Sequence, residues 1–588
     1  MDIKRTVLWV IFSMSLLFLW DNWMRANGKA SMFAPSVTAP AAASASANAA
    51  PASVAAVNAT SASAAAATGA APTDPTAVTA PAIAAIKSET ISIETDMVKV
   101  DIDTIGADIK RLELLKFKET VHREHWYDSF LELFGAKKAP VAKNNIVLFD
   151  KTAMRTYVAQ SGLSGKVYPD HNSGFVARPG VRTLGNSDKV ELVLEAEQGG
   201  VKLIKTFTFK KGSYVIDVKH EIVNQTTAAI TPSLYLQLRH DGTKPTGGSM
   251  FTGTAEFYAP AVYTEEKKFE KLDFEKIGKY ESEKEGSSNT LHASKSDSGW
   301  VSVIQHFFVS AYIPQDKISR DIFTHKVGDN LYTVGSLMSL GAIAPGATTS
   351  FSAQLYSGPQ ETATLEKVAP GLDLVKDYWY FAMIAKPMFW TMDLIHKFIG
   401  NWGWTIVLFT ILIKLALFPL SAAGYRSMAK MKVVTPKMTA LRERYKNEPQ
   451  KLNQAMMELY KTEKINPLGG CLPVLIQMPI FLSLYWVLQA SVEMRGAPWM
   501  GWITDLTQPD PWFILPVIYA ISMYITTKLN PAPADPMQAK MMMWMPLMFS
   551  VMFFFFPSGL VLYWVVNNIL SIAQQWVINN KIVPPEHR

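Results

Sequence analysis

Lys414 is the residue whose type and setting most invite chemistry. It sits inside residues 402–419, WGWTIVLFTILIKLALFP, a run long and apolar enough to enter a bilayer. A lysine at the centre of a membrane helix costs roughly 2.5 to 3.5 kcal/mol on insertion scales, so a charge kept there points to a functional contact. The competing reading is structural: the flexible stem snorkels past Ser421 to the headgroups. The remaining candidates are weaker. His122 and His125 flank Glu124, and His240-Asp241-Gly242 has the types for acid/base work, but neither group has partners at metal-ligand spacing and no HExxH is present. They read as surface histidines. The segment 242–249, GTKPTGGS, lacks the residue order of a phosphate-binding loop and reads as a plain loop. No metal, cofactor or catalytic group is therefore expected, and nothing points to specific nucleic-acid binding.

The elements that must position Lys414 follow from composition. The chain has 588 residues, 49% of them hydrophobic, which is too long for one compact domain and too apolar for a wholly soluble protein. A single cysteine, Cys471, excludes an internal disulfide. The net charge of +7 matters through its placement, because basic residues gather beside apolar runs. Lys4 and Arg5 precede the apolar residues 7–20, the pattern of a cleaved signal or a retained anchor. Trp20 and Trp23 suit an interface and the cleavage site is poor, so residues 1–25 are expected to stay as an anchor with Met1 in the cytoplasm. Residues 26–90, mostly Ala, Pro, Ser and Thr, have too little apolar surface to offset ordering and should form a disordered linker.

From about residue 91 the period becomes two. Val98, Val100 and Ile102 alternate with Lys99, Asp101 and Asp103; Phe207 and Phe209 alternate with threonines; Leu234, Leu236 and Leu238 continue the pattern. Lys211-Gly212-Ser213 supplies a hairpin turn. Residues 91–365 are expected to be an exported all-β sandwich with a few inserted helices.

Residues 370–400 mix aromatic and aliphatic residues with Asp377, Lys386, Asp393, His396 and Lys397, as an interfacial amphipathic helix would. After the Gly400-Asn401-Trp402-Gly403 break, residues 401–580 carry five membrane helices: the Lys414 helix, then 469–490, 512–529, 541–556 and 559–578. With the anchor this makes six, and both termini lie inside; residues 581–588 form a short inner tail. Between the first two of the five, residues 421–468 hold ten basic and four acidic residues, a net of +6, which marks the cytoplasmic side. Met431, Val434, Met438, Leu441 and Tyr445, then Leu452, Met456 and Leu459, repeat at three and four, so a helical hairpin is expected. It is either a solvated arm held near anionic lipid or a docking arm for incoming chains or a ribosome, built on Met428, Lys430, Met431, Lys437, Arg442 and Arg444. Thr410 lies one turn from Lys414, and Gln477, Tyr563, Asn567 and Asn568 also sit deep in apolar runs. They are interhelical glue or, together, the lining of a wet cavity that keeps Lys414 charged.

The stretches SMAKMKVVTPKMTALRERY (427–445), KINPLGGCLPVLIQMPIFLSLYW (464–486), DPMQAKMMMWMP (535–546) and FPSGLVLYWVVNN (556–568) resemble, in this order, the YidC membrane protein insertase family of Gram-negative type. WVSVIQHFFVSAYIP (300–314) is similar to part of that family's periplasmic domain. The resemblance implies a non-enzymatic insertase of the bacterial inner membrane, with five core helices around a hydrophilic groove open to cytoplasm and lipid and closed toward the periplasm. Its partners would be nascent membrane proteins, the Sec translocon, and a ribosome or signal recognition particle pathway; no cofactor is implied. Lys414 falls where the family usually carries Arg, which keeps the charge without the bidentate fork. Thr410, Gln477, Tyr563 and Trp564 fall on or beside groove positions, Trp564 in place of a family Tyr. Two other classes stay open: a transporter in which Lys414 binds an anionic solute, and a carbohydrate-binding or chaperone β domain anchored by the membrane half.

Overall fold

The computed structural model describes residues 88–118, 144–152, 155–165, 167–243, 258–282, 291–378, 381–445, 448–463, 472–530, 543–544 and 550–578. The expected anchor 1–25, nearly all of the linker 26–90, His122 and His125, residues 541, 542 and 545–549 of the expected helix 541–556, and the tail 581–588 lie outside these residues.

Residues 88–360 build two packed sheets, one of ten strands and one of nine, antiparallel at every strand pair described. The period of two is the cause. In Val201–Lys210 every second side chain, from Val201 through Leu203 and Lys205 to Phe207 and Phe209, is buried between the sheets while the threonines face out. Val201–Lys210 pairs with Val215–Asn224 across the Lys211-Gly212-Ser213 turn, where Gly212 takes φ +68. Phe207, Phe209 and Phe351 are buried from the two halves of one sheet, each contributing roughly 1.5 to 3 kcal/mol. α1 (Phe274–Ser282) is the inserted helix among the described residues. The expectation of a surface His240 is corrected. His240 is buried, ringed by Tyr157, Tyr258 and Phe274, because it occupies an inward position of Ser233–Asp241.

After the last strand, Thr348–Pro359, come α2 (Thr362–Val368), a 3-10 turn (Leu372–Val375) and α3 (Ala382–Ile399). α3 buries Ala385, Met388, Phe389 and Met392 and exposes Met383, Trp390 and Phe398, two apolar faces on one helix. α4 (Trp402–Ala416) starts at Asn401, whose side-chain oxygen accepts from Trp404 N at 3.1 Å. The run 402–419 does not continue straight. It breaks at Leu417, and α5 (Phe418–Arg444) departs at 67°. Pro419 is the reason: with no N–H, and with its ring against the carbonyl four residues back, it cannot sit inside a continuing helix but suits the first turn of a new one.

α5 and α6 (Pro449–Thr462) form the hairpin, and Lys437 Nζ of α5 reaches Glu463, at the end of α6 away from the connection, at 2.6 Å. Among the described residues α7 (Leu472–Ala490), α8 (Ile514–Leu529) and α9 (Ser558–Val577) follow. Among the described residues no single helix is both long and apolar enough to cross a membrane alone; α4 with the first part of α5 passes as a bent pair, and α8 is a shorter apolar helix. A core of Ile406, Phe409, Leu484, Val487, Leu560 and Val561 holds α4, α7 and α9 together.

Candidate functional site

α4 and α9 lie side by side and point the same way. Gly559 meets Ile406 near their first turns, and Lys414 Nζ donates to Ser571 Oγ at 2.7 Å near their far ends. Gly559 at the near end permits close approach; at the far end Ser571 and Gln574 face α4, while Gln575 Nε2 donates to Leu529 O at the end of α8 at 3.4 Å. Tyr563, Asn567, Ser571 and Gln575 recur every four residues, so they share one face of α9, and all four are buried. Ser571 Oγ itself donates to Asn567 O at 2.7 Å, which leaves its lone pairs for the ammonium. Gln574 Nε2 donates to the Lys414 carbonyl at 3.2 Å, and the Tyr425 hydroxyl of α5 also reaches Ser571.

Lys414 is 8% exposed and has no carboxylate partner among the described residues. A buried ammonium with a neutral acceptor is an attractive site for an anion, because two of its three N–H donors remain. Thr410, buried one turn earlier, spends its hydroxyl hydrogen on Ile406 O at 2.7 Å. Gln477 Nε2 donates to Tyr563 OH, tying α7 to the stripe. Asn568 Nδ2 donates to Ser522 Oγ at 3.2 Å and ties in α8. Trp564 is placed elsewhere: its ring lies among Phe481, Tyr519 and Phe553, away from the Lys414 side. Adjacent residues on a helix diverge by about 100°, so Tyr563 and Trp564 cannot share a face.

In the hairpin, Met428, Lys430, Met431 and Arg442 are half-buried, whereas Lys437 and Arg444 are exposed. Arg444 stands over the Tyr445 ring at 5.6 Å, and Lys437 is held by Glu463. Ser571, Gln574, Tyr425 and Ser522 belong to the site without having been singled out from the sequence; the four-residue repeat from Tyr563 would have located Ser571. Among the described residues no group of three or more His, Cys, Asp or Glu could hold a metal ion.

Residues 90–391 match the family model described as YidC periplasmic domain, and residues 394–585 that described as 60Kd inner membrane protein. A protein named membrane protein insertase YidC from Herminiimonas arsenicoxydans is 56% identical, with 99% of each chain covered. Its namesake from Janthinobacterium sp. (strain Marseille) is 55% identical, again over 99% of each. A solved structure described as an active YidC insertase with the first transmembrane domain resolved overlays on 83% of this chain and 92% of its own, at 18% identity and a TM-score of 0.37, too loose an overlay to argue from.

Proposed function

This chain belongs to the YidC family, and on that premise we propose that it is a membrane protein insertase, moving hydrophobic segments of nascent inner-membrane proteins from cytoplasm into lipid past Lys414. The observation that carries this reading is the buried ammonium of Lys414, paired to a hydroxyl and to no carboxylate among the described residues, beside the polar stripe of α9. A short acidic tail ahead of a hydrophobic segment enters from the cytoplasm and approaches Lys414. At about 4 Å and an effective dielectric near 20 the gross attraction is about 4 kcal/mol. That is comparable with the roughly 2.5 to 3.5 kcal/mol cost of a charge at mid-membrane, so the polar stripe shortens the apolar barrier. The hydrophobic segment then moves into lipid along the 469–490 and 541–556 segments. The membrane potential, worth about 2.3 kcal/mol per charge per 100 mV, pulls the acidic tail outward. No bond is made or broken and no cofactor enters.

In this reading both termini face the cytoplasm, six helices span the inner membrane, and the two-sheet domain is periplasmic. The basic arm of α5 and α6, with Met428, Lys430, Met431, Lys437, Arg442 and Arg444, receives chains from a ribosome or signal recognition particle pathway, and the chain works alone or with the Sec translocon. The test is insertion of a single-span protein with an acidic amino-terminal tail into proteoliposomes carrying only this chain, wild type against Lys414 variants. Equal insertion by all of them would remove Lys414 from the mechanism.

A further inference from the structure

Among the described residues the best-buried ion pair near the membrane half lies at the seam between the two halves, Lys376 with Glu493. Lys376 follows the Leu372–Val375 turn, and its side chain is 1% exposed. Its Nζ lies 3.0 Å from both carboxylate oxygens of Glu493, in the connection after α7, and 3.9 Å from the ring centroid of Phe389 on α3. Thr362 Oγ1 of α2 is 3.4 Å away. Burial pulls the Lys376 ammonium below the ordinary lysine range and Glu493 pulls it back. A cation in this setting is held by the carboxylate and the ring together.

Two residues further on, Arg495 makes a second contact. Its guanidinium stands 5.6 Å from the ring centroids of both Phe307 and Phe308 and donates to Lys118 O at 3.0 Å. Phe307 closes the tight turn between Trp300–Gln305 and Phe308–Pro314, where His306 takes φ +36. A bulky residue in the left-handed region is strained and persists only where its surroundings hold it. The tip of this hairpin therefore seats the two-sheet domain on Arg495.

The same connection grips the outer ends of the two site helices. Asn401 Nδ2, at the start of α4, donates to Trp499 O at 3.0 Å and Pro498 O at 3.3 Å, and Gly403 leaves room for the Trp499 ring. At the start of α9, Ser558 N donates to Gln508 O at 2.7 Å and Gly559 N to Leu506 O at 2.9 Å. An unbroken series of contacts thus runs from the two-sheet domain through residues 493–508 to α4 and α9. We propose that Lys376 and Arg495 are positioning residues that fasten this connection to the periplasmic domain, so that it holds the outer ends of α4 and α9 together and closes the polar stripe toward the periplasm. The domain is then a brace for the outer seal and needs no ligand of its own for that role. The inference rests on the insertase reading for its functional meaning, but the seal itself is measured without insertion.

The test uses the full chain in right-side-out vesicles, with Cys471→Ser and a reporter cysteine, Thr410→Cys, read with a membrane-impermeant maleimide applied from either side. The parental protein should label slowly from outside. Lys376→Met or Arg495→Met should raise the outside rate about tenfold with the cytoplasmic-side rate unchanged, well within the shift that breaking a buried pair can drive. Lys376→Met with Glu493→Leu, which leaves no unpaired charge, should return the outside rate toward parental, a recovery that a protein merely loosened overall would not show. Outside labelling at the parental rate in both single variants, or labelling that rises equally from both sides, would overturn the proposal. Absence of substrate insertion by every protein, parental included, would count against the insertase reading alone, since the labelling still decides the seal.

Discussion

Reversing the charge at position 414 separates an anion-attracting site from a snorkelling lysine. Lys414 is almost fully buried and spends one N–H on Ser571 at 2.7 Å, so two donors are left for a carboxylate at similar range. The gross attraction of about 4 kcal/mol is partly offset by desolvating the carboxylate; if half survives, Lys414→Ala raises the barrier by about 2 kcal/mol. That slows insertion of an acidic-tailed protein by a factor of about 30. Lys414→Glu replaces attraction by repulsion and should bring insertion to the level of protein-free liposomes. Lys414→Arg keeps the charge and adds a fork suited to carboxylates, so its rate should stay within about threefold of wild type. The assay is the initial rate of protease-protected substrate in proteoliposomes at fixed salt. A snorkelling lysine predicts that Ala is nearly harmless and that Glu differs from Ala only through stability. Equal rates in Ala and wild type, with matched protein levels, would refute the reasoning.

Three further outcomes follow from particular contacts. Gly299 has φ +92 and a Cβ there would collide with the Tyr263 carbonyl, so Gly299→Ala should destabilise the two-sheet domain by about 3 kcal/mol; Gly341, φ +74 with open space around it, should lose only about 1 kcal/mol on the same change. Denaturant midpoints followed by limited proteolysis of the full chain compare the two. Asp108 is pushed up to about 7 by burial, which outweighs the nearby Lys205, while burial pulls Lys205 down to about 8. The Asp108 contribution to stability is therefore fully present below about pH 4 and lost as pH rises through about 7, and Asp108→Asn should flatten the stability profile across that window. In the hairpin, Lys430→Gln with Arg442→Gln and Arg444→Gln should weaken ribosome co-sedimentation by about tenfold at 0.15 M salt and much less at 1 M. Lys437→Gln alone should matter less than the triple change, since it removes one charge and frees Glu463, which holds that ammonium at 2.6 Å.

The two-sheet domain was legible because period-two alternation states directly which side chains face inward. What alternation hides is a polar residue at an inward position. Lys205 continues the inward series of Leu203 and Phe207, donating to Gly106 O and Ser161 O at 2.6 Å each, and His240 is ringed by aromatics; both look like surface residues in sequence. In the helical half, Lys414 and Thr410 stood out as polar residues in an apolar run. Ser571 did not, because a serine is an unremarkable residue until the four-residue repeat from Tyr563 is followed through Asn567. Trp564 was placed with Tyr563 in the groove by the family resemblance; in the structure its ring lies in the Phe481 and Tyr519 layer. The break at Leu417 was implicit in Pro419. The pairing of Lys376 with Glu493 joins positions 117 apart and has no local signature.

The central claim is that Lys414 acts by its charge on the charge of the passenger, and a charge swap measures that most directly. Wild type and Lys414→Glu are each reconstituted and given the same single-span protein with an acidic or a lysine-substituted amino-terminal tail, in vesicles without an imposed potential. The account predicts crossed preferences: wild type inserts the acidic tail faster, and Lys414→Glu loses that substrate but gains relative to wild type on the basic one. The same preference in both proteins would contradict it.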